Sequence, residues 1–298
     1  MFINRMIVSV VKVMPRKMIF LFAKNYIAGE RLQDAVNEVK KLNSRGIMAT
    51  MDVLGESVAN KDESLLAKTE CIAVLNAIKE NNLNSNLSIK PTQMGLLLDE
   101  EFCYQQVRDL VEKARQYNNF VRIDMEDSSC TDKTINLYLR LRKDYDNVGI
   151  VLQSYLRRTY DDVVRLNAEG ANYRLCKGIY IEPEKIAFQG KQEVRDSFMR
   201  SLKRMLDDGN YVGIATHDSL LYNAASEYIA KNNIPREAYE FQMLLGVRED
   251  LRDKIAADGH RLRIYVPFGK DWYKYSIRRF NENPNVAGSV LKNMLRIN

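Results

Sequence analysis

The chain is 298 residues long, enough for one large α/β barrel or two smaller domains. Hydrophobic residues at 46% and charged residues at 28% are those of an ordinary globular protein and exclude a disordered or fibrous one. The net charge of +6 sits at the ends: residues 1–45 hold nine Lys or Arg against three acids and residues 260–298 hold eight against two, so each end is +6 and the middle is −6.

The first predicted element is an N-terminal arm. Residues 1–24 carry five basic side chains and no acid, and are otherwise mainly apolar. Pro15 and Lys17 interrupt any signal-peptide core, and no small-residue cleavage site follows. The longest apolar run there, Met18 to Ala23, is six residues, and no run in the chain approaches the ~20 needed to span a membrane. The arm is read as a helix that packs on the body or touches a membrane surface. Residues 30–45 follow as an amphipathic helix: Leu32, Ala35, Val36 and Val39 share a face, and Gly46 stops it.

From there one pattern repeats eight times. A short apolar run ends in a polar residue, a loop follows, then a helix. The pairs are 47–54 with helix 63–79, 87–90 with 99–117, 120–124 with 132–145, and 148–153 with 160–169. They continue with 173–177 and 192–207, 212–216 and 219–232, 240–244 and 248–257, and 262–266 with a last basic helix. Eight strand–helix units predict an α/β fold, a (βα)8 TIM-type barrel over residues 46–298 with the helical arm, 1–45, packed on it. An open doubly wound sheet would usually bring a Gly-rich dinucleotide turn, and neither GxGxxG nor a P-loop occurs.

Functional groups of such a barrel sit at the C-terminal ends of its strands. Those ends read Asp52, Lys90, Asp124, Gln153, Lys177, Thr216–His217, Gln242 and Tyr265. Nearly all are polar or ionisable, which the opposite face would not require; each alone also fits a satisfied strand-end cap or ion pair. Lys90 and Asp124 are expected on neighbouring strands, the aspartate keeping the lysine charged and fixed. Arg174 opens the fifth strand, and Gly178 lets backbone approach an extended anionic ligand. His217 reads more readily as a hydrogen-bonded structural histidine than as a base. The last helix places Tyr275, Arg278, Arg279 and Glu282 on nearby faces, so Glu282 can hold guanidinium forks suited to a carboxylate or phosphate, with Trp272 and Tyr273 close by. Paired arginines are also common on solvated helices.

Cys71, Cys103, Cys130 and Cys176 show no CxxC spacing, which fits buried thiols in a reducing compartment. With only His217 and His260 as histidines, a zinc site is not expected. No DNA- or RNA-binding signature occurs, so nucleic acid is not an expected partner. The residues alone leave three readings open: a lysine Schiff-base aldolase using Lys90 or Lys177, a flavin enzyme whose arginine pair grips a carboxylate, and a non-enzymatic amino-acid binder.

The runs MDVLGE, SIKPTQMGL, RIDMED, VLQSYLRR, YRLCKGIYIEP, ATHD, YEFQMLLG, RIYVPFG and YSIRRFNEN occur in order from about Arg31 to Asn283. In them the chain resembles the proline dehydrogenases, specifically the small monofunctional bacterial type. YRLCKGIYIEP and SIRRFNEN are specific; ATHD alone is weak. The resemblance implies a barrel holding FAD without a Rossmann domain, oxidising L-proline to Δ1-pyrroline-5-carboxylate and passing electrons to membrane quinone. By position it implies that Arg278 and Arg279 clamp the proline carboxylate, assisted by Lys90 and oriented by Glu282. Tyr265, Tyr275 and Leu244 would pack the ring, Asp124 would serve the active site, and Arg174 would lie near flavin N5. Met125, Gln153, Cys176, Lys177, Gly178, Ile179, Thr216 and His217 match flavin-contacting positions. Valine is common in the family where Cys176 stands, and alanine where Ile179 stands; both sites are expected to contribute mainly backbone contacts. The neighbouring reading is a flavin barrel for hydroxyproline. The basic ends are expected to let a cytoplasmic enzyme visit the inner face of the membrane, where quinone lives, although solvated helix faces explain the same charges.

Overall fold

The computed structural model describes residues 23–273, 275 and 276. Residues 1–22 of the arm, and Arg278, Arg279 and Glu282 of the last helix, lie outside the described residues.

Among the described residues, helix α1 (Leu32–Asn43) precedes an alternation of strands and helices. It runs β1 (Met48–Val53), α2 (Lys61–Glu80), β2 (Ser85–Ile89), α3 (Glu100–Gln116), β3 (Val121–Ile123), α4 (Thr131–Arg142), β4 (Val148–Gln153) and α5 (Thr159–Asn167). It continues β5 (Tyr173–Cys176), α6 (Lys191–Asp207), β6 (Val212–Ala215), α7 (Ser219–Lys231), β7 (Tyr239–Leu244), α8 (Glu249–Ala257) and β8 (Leu262–Phe268). Neighbouring strands pair in parallel and β8 pairs back onto β1, closing the barrel expected from the repeat.

Helix starts follow from local chemistry. Asn60 accepts from the Glu63 amide at 2.9 Å while Glu63 accepts from the Ala59 amide at 2.8 Å, which satisfies donors that the first turn of α2 leaves open. Asp99 does the same for α3, accepting from the Phe102 amide at 3.0 Å. In α1 the buried face is Ala35, Val36, Val39 and Leu42, which join one core with Ala49, Met51 and Ile264; full burial of each larger side chain stabilises by ~1.5–3 kcal/mol. Leu32 is only partly buried at the edge of that face, and Gly46, at φ +73°, turns the chain out of the helix.

The strands are buried on both sides yet alternate in polarity. On β1, Ala49, Met51 and Val53 belong to the apolar core, and the buried Thr50 and Asp52 stand between them. Thr50 donates to Asn86 at 2.5 Å and Asp52 holds Lys90 across β1 and β2. Other contacts join strands that are not neighbours: Arg174 of β5 with Gln242 of β7, and Arg263 of β8 with Asn86 of β2. Such pairs meet only across the lumen. The barrel therefore has an apolar jacket under its helices and a polar, charged interior, which carries the chemistry to the strand ends.

Candidate active site

Three ion pairs organise the interior: Lys90–Asp52, Arg174–Asp124 and Arg263–Glu240. Lys90, just past β2, donates to both oxygens of Asp52, each at 2.9 Å, and the two side chains are only 7% and 1% exposed. Burial works against the lysine charge, but Asp52 and then Asp124 outweigh it and raise the Lys90 pKa above the ordinary lysine value. The expected pairing is thus corrected: Lys90 is gripped by Asp52 of β1, because Asp124 is occupied elsewhere.

Asp124, just past β3, is a hub. Its Oδ1 accepts from Ser88 Oγ at 2.6 Å and Arg174 Nη1 at 2.7 Å, and its Oδ2 accepts from Tyr265 Oη at 2.9 Å. Burial and then the charges of Asp124 and Asp52 push the Tyr265 pKa well above that of a free phenol, so it stays a neutral donor. Arg174 also stacks over the Tyr265 ring, 5.1 Å from its centroid, and donates from Nε to Gln242 Oε1 at 2.6 Å. Gln242 Nε2 donates to Glu240 at 2.6 Å, and Glu240 accepts from Arg263 at 2.6 Å and 3.1 Å. A line of charge-assisted hydrogen bonds thus runs from Arg263, deep in the barrel, to Asp124 at the mouth.

Above this floor opens a cavity of about 900 Å³. Lys90, Asp124, Met125, Gln153, Arg174, Cys176, Lys177, Gly178, Ile179, Thr216, His217, Gln242, Leu244, Tyr265 and Tyr275, all expected at the site, line it, while the strand-end Asp52 lies behind Lys90 and does not. Gln153 donates from Nε2 to the Met125 carbonyl at 3.3 Å, while its buried Oε1 has no partner among the described residues. His217 Nε2 accepts from the Leu244 amide at 2.9 Å, which leaves the ring proton on Nδ1 in the neutral form. The histidine therefore fixes the end of β7 and still faces the cavity. Lys177 and Arg195 both hold Asp218, at 3.3 Å and 2.8 Å. Burial raises the Asp218 pKa, but Arg195 and Lys177 overcome that and hold it below the usual carboxylate value.

Gly178 sits at φ +99°, and a Cβ there would stand 2.1 Å from the Tyr155 ring. This glycine is required by the protein's own packing as well as by any ligand approach. A second concavity, about 920 Å³, lies outside the barrel between residues 24–31 and residues 245–252; no strand-end residue reaches it, so the chemistry belongs to the lumen.

Sequence reasoning missed several groups. Ser88, Glu240 and Arg263 each lie two residues before a recognised strand-end residue, on the same inward parity, which is a usable signal. Tyr26 and Glu126 line the cavity too. Glu126 accepts from the Thr92 amide at 2.9 Å and its hydroxyl at 2.6 Å, tying down the loop after Lys90. Tyr26 comes from the segment before α1 and has no periodic signal. Among the described residues, no group of three or more His, Cys, Asp or Glu side chains can hold a metal ion.

Comparison with known proteins matches this geometry to a family. The proline dehydrogenase family profile matches residues 35–292, so the chain belongs to that family. Proline dehydrogenase 1 of Bacillus subtilis strain 168 is 38% identical over 276 residues, covering 93% of this chain and 91% of that protein. Proline dehydrogenase of Deinococcus radiodurans is 33% identical over 291 residues, covering 96% and 94%. Proline utilization A from Bdellovibrio bacteriovorus, in a crystal structure of the protein inactivated by N-propargylglycine, has a TM-score of 0.83 and 26% identity over 89% of this chain. The chain spans 33% of that larger one. The activity of this chain is that of its family, proline oxidation; the relatives do not favour the hydroxyproline or aldolase readings.

Proposed function

We propose that this chain oxidises L-proline to Δ1-pyrroline-5-carboxylate with FAD bound across the barrel mouth, and that a quinone takes the electrons. The observation that carries the reading is the Oε1 of Gln153, without a partner among the described residues, beside a cavity of about 900 Å³, with the Arg174–Asp124–Tyr265 cluster in the same lining. A buried acceptor without a donor is uncommon, and a ring N–H of a flavin would satisfy it. Met125, Gln153, Arg174, Cys176, Lys177, Gly178, Ile179, Thr216 and His217 would hold the cofactor. Bound FAD would supply a two-electron acceptor for the hydride leaving the carbon beside the proline nitrogen.

The chain's own residues would do the rest. Lys90 would meet the proline carboxylate as a fixed cation, together with Arg278 and Arg279, which Glu282 would orient. Tyr265, Tyr275 and Leu244 would pack the ring and exclude water. Asp124 would hold Arg174 and Tyr265 in register, and Arg174 would offer positive charge where electron density accumulates. The nitrogen must be unprotonated or lose its proton as the hydride departs. The charged state of Lys90 argues against a Schiff-base role, since an amine nucleophile must be neutral.

Turnover of L-proline with a soluble dye acceptor tests the reading, with hydroxyproline as competitor. Dye reduction that requires L-proline and yields a cyclic imine is expected; turnover with hydroxyproline alone would contradict it. We further propose that residues 1–45 form an arm serving the catalytic unit 46–298, and that the arm brings a cytoplasmic protein to the inner membrane face. Deleting residues 1–22 should lower quinone turnover and spare dye turnover; equal losses would refute this role.

A further inference from the structure

We propose that Glu240 is a positioning residue for Arg174, acting through the amide of Gln242; this rests on the functional reading above, which assigns Arg174 to the reacting centre. The amide orientation follows from its partners. Arg174 Nε can only donate, so it must meet the amide oxygen, at 2.6 Å. An ionised Glu240 can only accept, so it must meet the amide NH2, also at 2.6 Å. Glu240 is itself held by Arg263, whose third nitrogen donates to the Ala49 carbonyl at 2.7 Å and so anchors the line to β1. Burial alone would raise the Glu240 pKa, but Arg263, Tyr211 and Gln242 hold it below the usual glutamate value, which keeps it an acceptor. Without that acceptor the amide is free to turn, and a turned amide would present NH2 to a guanidinium. Arg174 would then keep its hydrogen bonds to Asp124 and Ser88, both through Nη1, and its stacking on Tyr265, but lose the bond that fixes Nε.

The test is a polarity exchange. In E240Q the charge is lost, and the one oxygen left must be shared between Arg263 and the Gln242 amide, so that amide no longer has an acceptor-only partner. In Q242E two carboxylates face each other inside the barrel. In the double variant E240Q/Q242E the line to Arg174 closes again: the introduced amide accepts from Arg263 Nη2 and donates from the former Oε1 position to the introduced acid, which accepts from Arg174 Nε, while Arg263 Nε gives up its bond to that position. The number of carboxylates is unchanged from wild type, so recovery in the double variant separates positioning from general destabilisation.

Two readouts apply. In the protein without cofactor, the Arg174 Nε–H resonance, assigned by its loss in R174K, should be protected from exchange in wild type, unprotected in E240Q and protected again in the double variant. In the loaded protein, flavin reduction at saturating L-proline should slow about tenfold or more in E240Q, as for loss of a charge-assisted hydrogen bond, with KM within about twofold, and recover in the double variant. An unchanged Nε–H resonance in E240Q, or a double variant no better than either single one, overturns the proposal. If E240Q does not fold, a folded double variant with wild-type protection supports it, and one without protection overturns it. A wild-type protein that L-proline does not reduce would refute the functional reading instead, leaving the resonance to decide this one.

Discussion

Replacing Asp52 by asparagine should be among the most destabilising single changes in this barrel. Asp52 supplies both oxygens to Lys90, each at 2.9 Å, and the pair is all but sealed from water. D52N keeps the shape and removes the charge, stranding a buried ammonium. Breaking a buried pair in this way costs about 3–5 kcal/mol, a large share of the ~5–15 kcal/mol typical of a folded protein. With a urea dependence near ~3 kcal/mol per molar, the unfolding midpoint should fall by roughly 1–1.7 M. Removing both charges should be gentler: D52L/K90M exchanges the pair for apolar groups and should recover most of the loss, to within ~1 kcal/mol of wild type. Urea unfolding followed by circular dichroism reads all three proteins. A D52N protein within ~0.5 kcal/mol of wild type, or a double variant no more stable than D52N, would refute the reasoning.

G178A should cost at least ~2 kcal/mol, because an alanine there must adopt φ +99° and place its Cβ against the Tyr155 ring; an unchanged melting temperature would count against it. R278K or R279K should raise the KM for proline about tenfold or more, from lost carboxylate hydrogen bonds, and an unchanged KM would remove them from the site. His260 should set an acid limb of stability. Its Nδ1 lies 2.9 Å from Tyr239 Oη and its Nε2 3.4 Å from Ser226 Oγ; burial lowers its pKa, with Arg236 and Lys254 adding to the effect and Asp258 opposing it. The unfolded chain, titrating near pH 6.5, takes up the proton first, so this contribution is full above about pH 6.5 and is lost as pH falls through the lower folded pKa. H260Q should flatten that limb in melts between about pH 7 and 5, and an identical slope would contradict the assignment.

Much of this was legible in the sequence because each strand carries a polar residue at or near its C-terminal end. Lys90 and Asp124 lie one residue beyond β2 and β3, as the apolar runs predict. Partners were less legible. Which acid meets Lys90, and that Arg174 of β5 reaches both Asp124 and Gln242, depends on how the closed barrel brings non-adjacent strands together across its lumen. The start of β2 at Ser85 was hidden too, since Ser85 and Asn86 read as loop until the lumen is seen to be polar. The helix expected over 132–145 ends at Arg142, where the Asp144 and Tyr145 amides both close on the Leu141 carbonyl.

The most direct test of the central claim is the visible spectrum of the purified protein, recorded before and after anaerobic addition of L-proline. A yellow protein that bleaches with L-proline is the predicted result, and it would establish cofactor and substrate together. A protein that is colourless, stays colourless with added FAD and does not oxidise proline would contradict the account.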